Sequence, residues 1–104
     1  MYSSVLVTVP NMSIAKKIGR SLVERRLAAC VNYWAIDSTY RWKDKIVEDD
    51  EVAMLFKVAN ERYKELERAV LKMHPYEVPC IVRYSIVDGH LPYLDWINVS
   101  TCVE

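Results

Sequence analysis

The sequence predicts an α+β fold, in which helices cover one face of an antiparallel sheet. Three observations support this prediction: the order of strand-like and helix-like segments, a hydrophobic fraction of 52%, and a length of 104 residues. A chain of this length and composition suits one globular domain, which we expect to span residues 1–104.

The chain begins with a strand that is followed by a helix. Residues 4–9, SVLVTV, are few and rich in β-branched side chains, which is typical of a buried strand. After a proline, Asn11 or Ser13 can cap the helix. Arg25 and Arg26 are expected in its last turn, where cations interact favourably with the helix dipole. The helix has an apolar stripe at a spacing of four residues, formed by Ile14, Ile18 and Leu22.

Two long strand-like segments follow and form a predicted hairpin. Residues 28–42 and 46–58 contain many β-branched and aromatic side chains and no proline or glycine, and the turn is expected at residues 43–45. For the hairpin counted from Val31 to Val58, each arm has about 12 residues and, at ~3.3 Å per residue, extends ~40 Å. A compact domain of this length has a diameter of roughly 33 Å. The hairpin is therefore expected to be longer than its own domain.

A helix, a strand and a short helix complete the chain. Asn60 is expected to cap the second helix, and Pro75 ends it because the residue before a proline is disfavoured in the α region. Residues 79–87 predict a fourth strand, and residues 91–99 predict a short C-terminal helix. The order β-α-β-β-α-β-α predicts a ferredoxin-like sandwich with a short C-terminal helix. The apolar stripe of the second helix consists of Tyr63, Leu66, Val70 and Met73.

The long hairpin and an uncovered sheet face predict a homo-oligomer. Apolar side chains occur on both faces of the strand near Tyr33 and Trp34, whereas a two-layer fold covers only one sheet face. A lone hairpin of this kind would be marginally stable, and its edges would tend to pair with other chains. The alternative is a bent or bulged strand that stays within the monomer.

Composition excludes several classes of protein. Fourteen basic and fourteen acidic residues give zero net charge, which argues against a nucleic-acid partner. No apolar run approaches the ~20 residues that span a bilayer, and the N-terminus lacks the features of a signal peptide, so no membrane insertion is expected. Three widely spaced cysteines without a CxxC motif fit a reducing compartment, and we expect the protein to be cytoplasmic.

The segment LKMHPYEVPCI, residues 71–81, contains three side-chain types that bind metals: His74, Glu77 and Cys80. The alternative is a helix-to-strand junction, in which His74 satisfies carbonyl groups at the helix end and the donors do not converge. We expect the junction to line an interface pocket, with His74 and Cys80 as candidate metal ligands. Glu51 and Glu77 are predicted to be solvated carboxylates rather than an acid–base pair.

Four segments together resemble the CutA family of divalent-cation tolerance proteins. They occur in order along nearly the whole chain and are ERRLAACVN (residues 24–32), STYRWKDKIVEDDEV (38–52), KMHPYEVPCIV (72–82) and YLDWI (93–97). The resemblance implies a ferredoxin-like fold in a tight homotrimer, similar in shape to the PII signalling proteins. It implies a signalling or buffering role without enzymatic activity. The expected ligand is copper, another divalent cation or a small molecule bound at subunit interfaces.

The aromatic residues have two possible roles. They can form a pocket, or they can pack an interface, which is their default role because aromatic side chains dominate such contacts. Lys57 either points into a cleft and pairs with a carboxylate or is solvated. The predicted interface or pocket residues are Trp34, Tyr40, Trp42, Lys57, Tyr76, Glu77, Tyr93 and Trp96.

The chain departs from the copper-binding pattern of some relatives. Those members resemble CTAP at the end of the first strand and HHPY before the last strand. Here Val7 stands at the position of the cysteine, and Met73 stands at the position of the first histidine. A thioether suits Cu(I) better than Cu(II). The resemblance therefore does not carry this copper site over intact, and no resident cofactor is assigned.

Three other functions are alternatives to metal or ligand binding. A structural trimer without a metal role is the main alternative. An acylphosphatase-like hydrolase is disfavoured because TVPNMS, residues 8–13, has neither a glycine-rich loop nor an arginine to hold phosphate. RNA recognition is disfavoured because the first strand lacks stacking aromatic residues beyond Tyr2.

Overall fold

The computed structural model describes residues 1–102 and contains a four-stranded antiparallel sheet and three α-helices. The elements are β1 (Tyr2–Val9), α1 (Met12–Glu24), β2 (Cys30–Trp42), β3 (Lys45–Ala59), a 3₁₀ turn (Asn60–Arg62), α2 (Tyr63–Met73), β4 (Ile81–Ile86) and α3 (Leu91–Ser100). The strands lie in the sheet in the order β2-β3-β1-β4. This architecture confirms the predicted α+β fold and the predicted order of elements. None of the helices in residues 1–102 has both the length and the hydrophobicity needed to cross a membrane.

The hydrophobic core lies between one sheet face and the pair α1 and α2. Alternate residues of β1 and β3 supply the sheet side, and Val5 lies opposite Phe56 in the ladder. Both side chains are fully buried, as alternation along a half-covered strand predicts. The predicted helix stripes meet this face through Ile18, Leu22, Leu66 and Val70.

The opposite sheet face, which we call the open face, is only partly covered. The helix α3 lies against β1 and β3, and its Ile97 is fully buried. The hydroxyl group of Tyr93 in α3 lies 3.4 Å from Cys30 Sγ on β2. Beyond α3, large apolar side chains remain exposed; Trp34 is 44% exposed, and Tyr84 on β4 is 51% exposed.

The β2–β3 hairpin is regular and longer than the body of the molecule is wide. β2 has 13 residues and β3 has 15, and the register runs without interruption from the pair Cys30–Lys57 to the pair Trp42–Lys45. The molecule measures 44 × 26 × 20 Å. The unbroken register excludes a bulge, so the prediction of a long hairpin is confirmed.

The end of α1 differs from the prediction. Arg25 and Arg26 lie beyond the last helical residue, Glu24, rather than in the last turn. Arg26 adopts a left-handed conformation with φ of 58°, and the amide of Leu27 donates to the carbonyl of Leu22 at 2.9 Å. This geometry is a Schellman motif, in which a left-handed residue closes the helix. Because this motif adds a turn after the helix, β2 begins at Cys30 instead of residue 28.

Other element boundaries differ in part from the prediction, and the differences have local causes. Asn11 caps α1 as predicted, accepting from the amide of Ile14 at 2.9 Å. Asn60 does not cap α2; it opens the 3₁₀ turn, and its side chain accepts a hydrogen bond from the Ser3 hydroxyl. The hairpin turn has only two residues, Lys43 and Asp44, which both have positive φ as a tight type I′ turn requires.

The strand β4 is shorter than predicted and covers Ile81–Ile86 instead of residues 79–87. Its ladder with β1 starts at the pair Val7–Ile81 and ends at the pair Tyr2–Ile86. Pro79 has no amide hydrogen to donate to a ladder. At the other end, β1 begins at Tyr2, so Val87 faces no strand residue.

Candidate functional site

A cleft of about 730 Å³ lies between the hairpin and the segment that joins α2 to β4. Its volume is within the range of ~300–1,000 Å³ that is usual for small-molecule sites. The cleft is lined by Thr8, Ser38, Tyr40, Arg41, Trp42, Glu51, Pro75, Tyr76, Glu77, Val78, Pro79 and Cys80. Five of the residues predicted from the sequence therefore share one site: Tyr40, Trp42, Tyr76, Glu77 and Cys80.

Strand alternation positions one wall of the cleft. Ser38, Tyr40 and Trp42 are alternate residues of β2, so their side chains share the open face. Glu51 lies on the same face because its ladder partner is Ile36, another residue of this alternate set. The other wall is the irregular segment between α2 and β4, which follows Pro75.

Glu51 lies beneath this segment and is hydrogen-bonded to it. The Tyr76 hydroxyl donates to Glu51 Oε2 at 2.8 Å, and Glu51 is only 7% exposed. Burial and the hydrogen bond to Glu51 raise the pKa of Tyr76 well above its usual value, so the phenol remains a donor. The expectation that Glu51 is a solvated carboxylate is wrong, whereas Glu77 is exposed as expected.

Tyr40 is fixed by a neighbour on the same hairpin. Its hydroxyl donates to Asp49 Oδ2 at 2.6 Å. This hydrogen bond is the main reason that the pKa of Tyr40 is raised to about 12, and desolvation of the phenol adds to it. Tyr40 is therefore protonated at neutral pH, and its ring is held at the wall of the cleft.

His74 anchors the junction between α2 and β4. It is the C-cap residue of α2 and is buried. Its Nε2 lies 2.8 Å from the carbonyl oxygen of Thr8, and its Nδ1 lies 3.1 Å from the amide nitrogen of Tyr76. Because a carbonyl only accepts, Nε2 carries the proton and Nδ1 accepts from the amide. A metal bound to His74 would have to displace one of these hydrogen bonds.

The donor set that the family resemblance raised for copper does not fit this chain. Val7 is fully buried in the core, Met73 packs against that core, and both nitrogens of His74 have protein partners. Within residues 1–102, no group of three or more His, Cys, Asp or Glu side chains is placed to hold a metal ion. The assignment of His74 and Cys80 as metal ligands stays a prediction.

The remaining predicted residues do not line the cleft. Lys57 lies at the other end of β3, where its Nζ donates to Asn32 Oδ1 at 2.5 Å, so it has no carboxylate partner there. Tyr93 and Trp96 pack against each other on α3, with ring centroids 5.4 Å apart. Trp34 lies on the open face outside the cleft. These four residues belong to the open face and to α3.

Two aspartates face each other across the hairpin on the side away from the cleft. Asp37 and Asp50 are ladder partners, and the hydrogen bond and repulsion between their carboxyl groups raise the pKa of Asp50. A raised pKa means that the folded protein holds this proton more tightly than the unfolded chain does. The resulting stability is present at low pH and is lost as pH rises through the raised pKa.

We therefore expect Asp50→Asn to raise the melting temperature at pH 7, because the amide removes the repulsion between the two carboxyl groups. The difference between the two proteins should shrink from pH 7 to pH 3, because lowering the pH protonates a carboxyl group whose pKa is raised in the folded protein. Thermal denaturation at both pH values measures this. Asp95→Asn, the same chemical change on α3, is the control; equal gains from both variants would contradict the carboxyl pair.

Sequence comparison identifies relatives along the whole described fold. A family model described as "CutA1 divalent ion tolerance protein" matches residues 3–100. A divalent-cation tolerance protein from Thermus thermophilus is 43% identical over 102 residues, which cover 97% of this chain and 99% of the relative. The human Protein CutA is 44% identical over 95% of this chain, which spans only 56% of the human protein.

Solved structures of other proteins also resemble the fold of this chain closely. A divalent cation tolerance protein from Thermus thermophilus superposes with a TM-score of 0.95 at 43% identity, covering 98% of this chain and all of that one. A protein from Archaeoglobus fulgidus, described as a periplasmic divalent cation tolerance protein, gives 0.95 at 37% identity, covering 97% and 99% of the two chains. The chain therefore belongs to the CutA1 family of divalent ion tolerance proteins.

Proposed function

We propose that this chain is a ferredoxin-like subunit of a homotrimer that binds a divalent cation or a small ligand at subunit interfaces. In this proposal it acts in divalent-cation tolerance by PII-like signalling or buffering, not by catalysis. The single observation that carries the proposal is the open face, which exposes large aromatic side chains beside an overlong hairpin.

Burial of the open face in an assembly would remove an unfavourable surface. Trp34, Val82 and Tyr84 expose apolar side chains on one sheet face, and such patches mark interaction sites. The two edge strands, β2 and β4, also carry unpaired backbone groups that can pair with another copy. The number of three subunits is the part of the proposal that rests on the family resemblance.

The cleft is the proposed ligand site. It lies along the projecting part of the hairpin, from Glu51 to Trp42 beside the turn, and on the same sheet face as the exposed aromatic residues, so an assembly through that face would bring a neighbour to its rim. If the bound species is a metal ion, the proposed ligands are Cys80, which lines the cleft, and His74, which is buried at the junction and does not line it. The three widely spaced cysteines support the proposal of a cytoplasmic location.

Light scattering combined with gel filtration tests the assembly, which is expected to have about three times the chain mass of 12.1 kDa. A monomer would overturn the proposal. Calorimetric titration of the reduced protein with Cu(II), Zn(II) and Cu(I) tests whether the protein binds a metal ion. Loss of binding in Cys80→Ala and His74→Ala is expected if these residues ligate, and unchanged binding in both removes the junction from metal chemistry.

A further inference from the structure

Glu51 is a buried carboxylate without a cationic partner in the described chain. It is more than nine-tenths buried, and it accepts a hydrogen bond from the Tyr76 hydroxyl. The ion pairs found in residues 1–102 join Arg20 with Glu24, Arg62 with Glu65, and Lys64 with Glu67. Burying an ionised carboxylate is costly unless a positive charge accompanies it. The cleft therefore favours a ligand that brings a positive charge.

The walls around Glu51 are aromatic. Tyr40 lines the cleft from β2, and Tyr76 lines it from the facing segment, whereas Trp42 lies beside the hairpin turn, six residues along the ladder from Glu51. The faces of such rings attract ammonium groups within about 6 Å of the ring centroid, and aromatic cages recognise organic cations in this way. Calcium instead needs six to eight oxygen ligands, and the described residues offer no group of three acidic, His or Cys donors.

The charges on the rim agree with a cationic ligand. Glu51 and Glu77 contribute two negative charges, and Arg41 contributes one positive charge. Arg41 belongs to the other alternate set of β2 residues, so strand geometry directs its side chain toward the opposite face from Tyr40 and Trp42. The lining as a whole carries one net negative charge, which disfavours a phosphate or carboxylate ligand.

We propose that the cleft binds an organic ammonium ion, with Glu51 as its counter-charge and with Tyr40 and Tyr76 beside the cation. This inference rests on the proposed function, because it names the ligand class of the same cleft. It extends that function by choosing a small organic cation over a metal ion as the molecule that the buried carboxylate recognises.

Three probes of the same size separate the effect of charge from the effect of shape. Benzylamine is a cation at pH 7.4, benzyl alcohol is its neutral counterpart, and phenylacetate is an anion. Calorimetry on the reduced, assembled protein should show benzylamine binding at least about 10-fold more tightly than benzyl alcohol, as expected for a charge-assisted hydrogen bond. Phenylacetate should bind more weakly than either.

Glu51→Gln keeps the shape of the side chain and removes the charge, so the preference for benzylamine over benzyl alcohol should fall to within about 2-fold. Tyr40→Leu should weaken benzylamine binding about 3- to 10-fold, because a cation–π contact is worth on the order of a kilocalorie per mole. The matched control is Asp50→Asn, the same acid-to-amide change on the adjacent residue, whose side chain is on the opposite face. That control should keep the wild-type preference.

Failure of this inference can be separated from failure of the proposed function on the same samples. Wild-type protein that is trimeric but does not prefer benzylamine over benzyl alcohol overturns the inference and leaves the trimer standing. If Glu51→Gln still prefers benzylamine over benzyl alcohol, the inference is overturned too. It is also overturned if Glu51→Gln assembles more weakly while the wild type shows no preference for benzylamine, because Glu51 would then pair with a neighbouring subunit. A monomeric wild-type protein overturns the proposed function instead.

Discussion

Replacing Trp34 with glutamate is expected to convert the proposed trimer into monomers of 12.1 kDa. Trp34 lies on the open face and is 44% exposed in the isolated chain, so an assembly through this face would bury it. Tryptophan is enriched among interface residues whose truncation costs ~2 kcal/mol or more. A buried, unpaired carboxylate adds a desolvation cost. Subunit affinity should therefore fall at least about 30-fold.

Sedimentation equilibrium over a range of micromolar concentrations measures this change. Leu71→Glu is the matched control, because Leu71 is 51% exposed on α2, away from the open face, and receives the same charge. The control is expected to keep the wild-type mass. If Trp34→Glu also keeps the wild-type mass, the open face is not the subunit interface and no longer supports the proposed function.

Local sequence patterns predicted the strands and helices well, because the spacing of apolar residues depends on which face of one strand or helix is buried. The β-branched alternation of β3 predicted the buried set from Val52 to Val58, and the stripe of α2 predicted Leu66 and Val70. Element ends were less predictable, because they depend on partners elsewhere. β4 ends at Ile86 because its partner Tyr2 is where β1 begins, and the left-handed conformation at Arg26 occurs at a residue type that gives no sign of it.

The candidate site was predicted in part. Residue type and family resemblance selected Tyr40, Trp42 and Tyr76, which line the cleft. Glu51 was missed because its burial is a tertiary effect. It belongs to an acidic run that predicts a solvated strand, and the residue that covers it, Tyr76, is 25 positions away. Lys57 shares the sheet face with Glu51, but six residues along a strand separate them by ~20 Å.

The His74→Ala variant is expected to lower the free energy of unfolding by about 2–4 kcal/mol. The change removes two hydrogen bonds and leaves the carbonyl of Thr8 and the amide of Tyr76 without these partners, and each unsatisfied buried group costs about 1–3 kcal/mol. It also leaves a cavity where the imidazole was buried. Chemical denaturation at a fixed protein concentration measures the loss, since the stability of an oligomer depends on concentration.

The same measurement in EDTA separates a structural histidine from a metal ligand. The hydrogen bonds of His74 need no metal, so the loss of stability should persist when divalent ions are chelated. His90→Ala is the control: His90 is exposed and makes no side-chain capping bond at α3, so its loss should stay within about 0.5 kcal/mol. If EDTA makes wild type and His74→Ala equally stable, metal ligation rather than hydrogen bonding is what His74 contributes, and the tautomer argued from Thr8 and Tyr76 is wrong.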